Sequence, residues 1–204
     1  MSLIVGLTGQ TGAGKTTACE VFANHGFGII NCDKVAREVC SIGSPCLNEL
    51  VLEFSNKILN DDKSLNRKAL GKIVFSDSTS LAKLNEITHP HILRKISKLI
   101  ALLSEKYRII IVDAPTLFES GANQICNLIV SVLASEDVTI PRIMERDLVD
   151  EASARNRLKS QHDPDFFKER SDLIVQNNGH IQEFSDDLSD LVKQIKEFAN
   201  GNSN

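Results

Sequence analysis

The stretch LIVGLTGQTGAGKTT, residues 3–17, decides how the rest of the chain is read. Gly9 to Thr16 fits the pattern G-x-x-x-x-G-K-[ST] with no mismatch. The pattern also stands in the right setting. An apolar run, Leu3 to Leu7, precedes it and a helical pattern, Lys15 to Asn24, follows it. Glycines permit backbone angles that a side chain forbids, so successive amides can converge on phosphate oxygens. The helix that starts near Lys15 points its positive end at the same anion. In such a loop the lysine bridges the β- and γ-phosphates, the first threonine hydroxyl meets Mg²⁺, and the next threonine reaches the α-phosphate. Gly9, Thr11, Gly12, Ala13, Gly14, Lys15, Thr16 and Thr17 are therefore candidate nucleotide contacts, with Thr16 also a candidate metal contact. The plain alternative is a glycine turn between strand and helix. The match of all four fixed positions in this setting speaks against it.

Working outward, short apolar runs alternate with helical patterns, which predicts an α/β fold with a doubly wound parallel five-stranded sheet. The predicted strands are 3–7, 27–31, 107–112, 128–133 and 172–175. Residues 33–98 read as helical, with breaks expected at Gly43-Ser44-Pro45 and at His89-Pro90. Residues 138–170 are charged and helical, with Pro141 and Pro164 placed near the joints. Ile181, Phe184, Leu188, Leu191, Ile195 and Phe198 recur at intervals of three and four, the stripe of an amphipathic terminal helix. A frayed tail is expected over 201–204. The expected organisation is one domain. Its core is made of 1–33, 99–139 and 171–204, a helical region spans 34–98, and a helical lid spans 140–170. A compact α/β core does not need such insertions, so they are expected to serve function.

Composition narrows the class. The chain has 204 residues, 23 Lys+Arg against 27 Asp+Glu, and a formal net charge of −4. That balance argues against a protein that coats nucleic acid, yet allows small anionic ligands held by a local patch. No apolar run is long enough to cross a membrane, and no signal peptide is recognisable. The five cysteines, Cys19, Cys32, Cys40, Cys46 and Cys126, form no C-x-x-C pair. They read as unpaired thiols in a reducing, cytoplasmic setting, with no metal or redox role.

The loop alone does not separate a switch GTPase, a motor ATPase and a small-molecule kinase. Neither D-x-x-G nor N-K-x-D occurs, and the chain is short for a motor. A kinase with a water-excluding lid is the better reading. Asp33 follows the second strand, 17 residues after Thr16. It is placed either to take the proton of an attacking hydroxyl or bind Mg²⁺ through water, or simply to cap a helix. Asp113 ends the strongest strand, where a metal-binding acid or another cap is expected. Arg142 and Arg146 share a helix face, but residues 141–170 carry as many acids as bases. A solvated, salt-bridged face is the competing reading there, and Glu151–Arg155 has favourable i,i+4 spacing.

Several segments together resemble the dephospho-CoA kinase family. They are Gly6-Leu7-Thr8-Gly9 leading into the loop, Asp33-Lys34-Val35-Ala36-Arg37-Glu38-Val39, and Leu65-Asn66-Arg67-Lys68-Ala69-Leu70 with Val74-Phe75. Then come Leu84-Asn85-Glu86-Ile87-Thr88-His89-Pro90, Asp113-Ala114-Pro115-Thr116-Leu117-Phe118-Glu119, Arg146-Asp147, Ala154-Arg155-Asn156-Arg157 with Gln161, and Asn177-Asn178-Gly179. They occur in family order over residues 6–179. Departures are Gln10-Thr11, Asn31 in place of a further Asp, Thr116, Thr139 and Ser171.

The resemblance implies a P-loop kinase built like the nucleoside-monophosphate kinases. It implies transfer of the γ-phosphoryl of ATP, with Mg²⁺, to the ribose 3′-hydroxyl of dephospho-CoA. By family position Asp33 is the base on that hydroxyl, and Lys15 and Arg146 complete the catalytic set. Arg37, Arg67, His89, Pro115, Leu117 and Phe118 are substrate contacts, or else, in that order, an ion-pair partner, a solvated helix residue, a cap and three core residues. Arg146 and Arg155 belong to the lid and the ATP phosphates. Asn177 reaches adenine or merely forms a turn. The metal would be held by Thr16, with Asp33 or Asp113 through water. The rival readings are another small kinase, acting on a nucleoside or its monophosphate, and a non-catalytic nucleotide-binding regulator.

Overall fold

β1 (Leu3–Gly9) is buried at every position, as a strand covered on both faces must be. It pairs in parallel with β3 (Ile109–Asp113) on one side and β4 (Leu128–Leu133) on the other, Val5 lying opposite Ile111 and Leu128. β5 (Leu173–Gln176) continues the sheet beside β4, with Val132 opposite Val175. β2 (Gly28–Asn31) closes the far edge beside β3, giving the order β2-β3-β1-β4-β5. The structure is a computed structural model and describes residues 2–201. Among the described residues the sheet has five strands, all parallel, with bounds within about two residues of those expected. One consequence of the order was not foreseen. β3 stands between β1 and β2, so the strands leading to the loop and to Asp33 are not neighbours.

The chain divides into two compact units. Of the described residues the first holds 2–30 and 102–201, the second 31–101. In the first unit, α1 (Lys15–Asn24) and α9 (Ile181–Gly201) share a core with the sheet that includes Phe22, Phe27, Phe184, Leu188 and Ile195. Each large apolar side chain removed from water contributes ~1.5–3 kcal/mol. The buried stripe of α9 is Phe184, Leu188, Leu191, Val192, Ile195 and Ala199. Ile181 and Phe198, expected in it, are 73% and 41% exposed. Ile181 is the first residue of the helix, and Phe198 falls on the flank of the stripe. Of the tail expected to fray, Gly201 still belongs to α9, and 202–204 lie outside the described residues.

Residues 140–170 belong to the first unit, as α6 (Glu136–Asp147), α7 (Glu151–Lys159) and α8 (Pro164–Arg170). Ile140, Ile143, Ala154 and Leu158 form a small core of their own there. Asp150 and Asp163 cap α7 and α8 by accepting from the Ser153 and Phe166 amides, both at 2.8 Å. Pro164 takes the first helical position of α8, where its missing amide costs nothing. Pro141 lies inside α6 rather than at a joint. It forfeits only the bond that its amide would have made to the Asp137 carbonyl.

The second unit contains α2 (Cys32–Val39), α3 (Pro45–Phe54), α4 (Arg67–Val74) and most of α5 (Ser78–Leu103). The break at Gly43-Ser44-Pro45 is present, with Ser44 capping α3 through the Leu47 amide. The break expected at His89-Pro90 is absent, because α5 runs through it. Pro90 and Glu86 are exposed, so solvent can meet the Glu86 carbonyl that the proline leaves without its amide. On the buried side, the Thr88 hydroxyl donates to the Leu84 carbonyl at 2.8 Å. His89 is therefore helical, not extended. The cysteines form no disulfide. All five are unpaired, as expected, although the Cys40 and Cys46 sulfurs lie 3.7 Å from each other.

Candidate active site

The loop between β1 and α1 is shaped by close approaches that exclude side chains. Gly9 has φ +140°, and a Cβ there would meet the Val132 carbonyl oxygen at 2.1 Å. Gly14, the residue before α1, is left-handed at φ +106°, and a Cβ would meet Asn177 Nδ2 at 2.4 Å. The sequence G-x-x-x-x-G is thus required by packing against β4 and Asn177 as well as by any phosphate. The Ala13 amide turns back onto the Gln10 carbonyl at 3.2 Å, and the exposed Thr16 sits in the first turn of α1.

Lys15 and Asp113 form an ion pair through Nζ and Oδ1, with side chains 17% and 7% exposed. This brings two of the expected site residues together. Asp113 is neither a helix cap nor solvent-facing, and it neutralises the lysine of the loop. Cys19, one turn beyond Lys15, has its thiol pushed up to about 12 by burial and then by the Asp113 charge, so it stays neutral.

The loop is braced from behind by residues far along the chain. Asn177 donates from Nδ2 to the Ala13 carbonyl at 2.7 Å and accepts from Arg142 at Oδ1. Arg142 also reaches the carbonyls of Gly12 and Asn177, each at 3.4 Å. Asn177 is 5% exposed, so its amide is committed to the loop rather than presented to a base. Asn178 likewise accepts from the Ser135 amide at 2.7 Å. Asn177→Ala is expected to cost about 1–3 kcal/mol, the penalty for stranding buried polar partners, as read by urea denaturation. An unchanged midpoint would remove the brace.

Residues of α6 and of the α7–α8 junction also touch the loop. Gln161 Oε1 accepts from the Thr11 amide at 2.9 Å, and Gln10 donates to the His162 carbonyl at 3.4 Å. Arg146 donates to the Thr11 hydroxyl at 3.2 Å and chelates Asp147 through Nε and Nη2. Arg146 beside it holds the Asp147 carboxyl below the usual carboxylate range. Arg157 binds the same carboxylate. Arg155 pairs with Glu151 at 2.8 Å and Glu136 at 3.5 Å, the salt-bridged arrangement that its spacing allowed.

Leu117 is fully buried against Gly6, so it is a core residue rather than a wall of a binding cleft. Phe118 packs edge-on against Phe166 at 5.3 Å. His162 stacks on Phe166 at 3.6 Å and pairs with Glu119 at 3.2 Å. Pro115 is half-buried, and its carbonyl accepts from Thr8 at 3.3 Å.

In the second unit, Asp33 is exposed in the first turn of α2 and is not the cap. Asn31 accepts from the Lys34 amide at 2.8 Å instead. Among the described residues Asp33 and Arg37 make no ion pair with each other, so the bland i,i+4 reading of that pair does not hold. Arg67 opens α4 beside a cavity of about 250 Å³ lined chiefly by apolar groups, among them Ala36, Leu50, Leu70, Phe75 and Ile92. His89 is half-buried in α5.

Arg142 and Gln161 are the residues that sequence reasoning underrated. Their partners lie about 130 and 150 positions away, beyond any local spacing signal.

A parallel sheet in this order, with a glycine loop and Lys-Thr at the first strand-to-helix turn, defines the class of P-loop kinases. Comparison with known proteins goes further. A family model described as dephospho-CoA kinase matches residues 3–183. Dephospho-CoA kinase from Lactobacillus johnsonii is 35% identical over 196 residues, covering 96% of this chain and 99% of the relative. The Saccharomyces cerevisiae dephospho-CoA kinase is 38% identical over 200 residues, covering 95% and 83%. The solved structure of dephospho-CoA kinase from Campylobacter jejuni superposes with a TM-score of 0.73 at 30% identity, over 99% of this chain and all of that one. A shikimate kinase from Bacteroides thetaiotaomicron shares the fold alone, at TM-score 0.55 and 14% identity. The chain belongs to the dephospho-CoA kinase family.

Proposed function

We propose that this chain transfers the γ-phosphoryl group of ATP to the ribose 3′-hydroxyl of dephospho-CoA, giving CoA and ADP. The observation that carries the reading is the first-unit loop itself: Gly9 and Gly14 held in conformations closed to side chains, Lys15, and the exposed Thr16 at the start of α1, whose N-terminus has no side-chain cap. Family membership supplies the acceptor. Phosphoryl transfer asks a protein for positioning and positive charge rather than covalent chemistry.

Lys15 exchanges Asp113 for the β- and γ-phosphate oxygens as ATP enters. Arg146, which already donates to Thr11, turns from Asp147 to the charge that develops on the transferred group. Arg155 adds charge from the same lid, residues 140–170, once Glu151 and Glu136 release it. Asp33 takes the proton of the acceptor hydroxyl. Arg37, Arg67 and His89 hold the phosphate-rich part of dephospho-CoA in the helical region, 34–98. Pro115 and Phe118 border the acceptor, and Asn177 keeps the loop in shape for ATP. Hydroxyl and carboxylate oxygens suit Mg²⁺, so Thr16 would hold it with Asp113 or Asp33 through water, where it would neutralise phosphate charge. Among the described residues no helix is long and apolar enough to cross a membrane. Action in the cytoplasm fits free thiols and two small anionic substrates.

The test is a coupled ADP assay with dephospho-CoA and a panel of nucleosides and monophosphates, the product identified by mass. ADP released only with a monophosphate would overturn the acceptor assignment. Arg146→Ala is expected to lower kcat about 10²-fold with little change in KM for dephospho-CoA. A rise in that KM at constant kcat would instead make Arg146 a substrate contact.

A further inference from the structure

Cys40 and Cys46 meet inside the second unit, six residues apart. Cys40 follows the last turn of α2, and Cys46 lies in the first turn of α3. Both are buried, with sulfurs 3.7 Å apart, in a cluster with Leu50, Ile58, Leu70 and Val74. The turn between them is held by backbone bonds from Ser41 to Glu38 at 3.2 Å and from Ser44 to Ser41 at 3.0 Å. A disulfide needs the sulfurs about 2.0 Å apart, so closure asks for a shift of about 1.7 Å.

The two thiols are not equivalent. Cys40 lines the cavity of about 250 Å³ together with Arg67 and Cys46 does not, so Cys40 is the one of the two that borders space for a small molecule. The hydrogen bond between the two sulfurs, in which either can be the donor, and then the Arg67 charge lower the Cys40 thiol against the opposing effect of burial. Cys46 moves the other way, raised by its bond to Cys40, by burial and by the Cys40 and Glu49 charges. Elsewhere burial, the largest cause in each case, pushes Cys19 and Cys126 up to about 12. A thiolate is the reactive form of cysteine, and an adjacent second thiol is what resolves it.

We propose that Cys40 is a site of oxidation by hydroperoxides, and that Cys46 resolves it to an intrachain disulfide. The Cys40 thiolate attacks one peroxide oxygen. An S–O bond forms, the O–O bond breaks, and the departing alkoxide takes a proton to leave as the alcohol. Cys40 is then a sulfenic acid. The Cys46 sulfur attacks it, the S–S bond forms, the S–O bond breaks, and hydroxide leaves as water with the Cys46 proton. In sum, two thiols and one hydroperoxide give a disulfide, an alcohol and water; with hydrogen peroxide the departing group is hydroxide and the products are a disulfide and two waters. The bond ties the end of α2, the helix bearing Asp33 and Arg37, to α3 and alters the cavity wall. The proposal rests on the second unit alone and stands whatever the acceptor of the kinase is.

Reduced protein is treated with stoichiometric hydrogen peroxide, remaining thiols are alkylated, and tryptic peptides are weighed. Cleavage after Arg37 and Lys57 leaves both cysteines in one peptide. That peptide is expected to lose two hydrogens and escape alkylation, with reversal by dithiothreitol, while Cys19 and Cys126 alkylate fully. Cys46→Ser, or Cys46→Ala if the serine variant melts early, is expected to trap a dimedone adduct on Cys40. Arg67→Ala is expected to slow disulfide formation several-fold. Peroxide that oxidises Cys19 or Cys126 while the 38–57 peptide stays fully alkylated would overturn the site. A dimedone adduct on Cys40 in the unsubstituted protein, with no disulfide, would overturn the role of Cys46.

Discussion

Asp33→Asn is expected to lower kcat for CoA formation about 10³-fold, while ATP affinity stays within about twofold. The substitution keeps the side-chain shape but replaces the charged, proton-accepting carboxylate by a neutral amide. The structure separates that chemical role from a structural one. The cap of α2 is Asn31, and Asp33 is exposed and makes no pair with Arg37. Its contribution to folding reduces to a carboxylate near a helix N-terminus, ~0.3–1 kcal/mol. Melting temperature should therefore hardly move, and nucleotide titration should give the parental curve. A kcat within threefold of the parent's, about 0.65 kcal/mol of barrier, would remove Asp33 as the base. If parent and variant both bind ATP and neither makes CoA, the chain is a nucleotide-binding regulator instead.

The contrast between Asp33 and Asn177 shows what a sequence discloses. The loop and α1 were legible because their determinants are local: fixed glycines, Lys-Thr, and a helical period that starts where the glycines stop. The strands were legible for the same reason, since a strand buried on both faces is a continuous apolar run. Strand order was not, because parallel neighbours are set by crossovers whose sequence carries no pairing signal. Pro90 misled for a related reason. A proline is read as a break when the carbonyl it orphans has no other partner, and only the fold shows that Glu86 faces solvent. For Asn177 the resemblance offered a contact with adenine and the sequence a plain turn. Its bonds to Ala13 and Arg142 cross 164 and 35 residues and leave no periodic trace. The cysteines repeat the lesson. Six residues is no recognised spacing, and only the turn at Gly43 brings Cys40 to Cys46.

Lys15→Ala is expected to abolish turnover, by about 10³-fold or more, and to lower stability by roughly 3 kcal/mol. The first effect follows from losing the cation that meets the phosphates. The second follows from Asp113, which ends β3 within the sheet at 7% exposure and loses its counter-charge. Removing one partner of a buried pair costs ~3–5 kcal/mol, and the lower end applies because the Lys15 ammonium keeps some contact with solvent. The double substitution Lys15→Met with Asp113→Leu tests this division. It removes both charges and fills similar volume, so most of the lost stability should return while turnover remains absent. Urea denaturation of parent, single and double variants reads the first quantity, and the ADP assay reads the second. If Lys15→Ala is as stable as the parent, the ion pair contributes nothing to folding, and Asp113 is held by the sheet alone. If the double variant stays destabilised, the loss lies in the packing of the lysine stem rather than in stranded charge. If its stability and turnover both return, Lys15 is not the phosphate contact. The expected pattern, stability restored without activity, would show that the loop lysine is parked on Asp113 between turnovers, at an energy that phosphate binding must match.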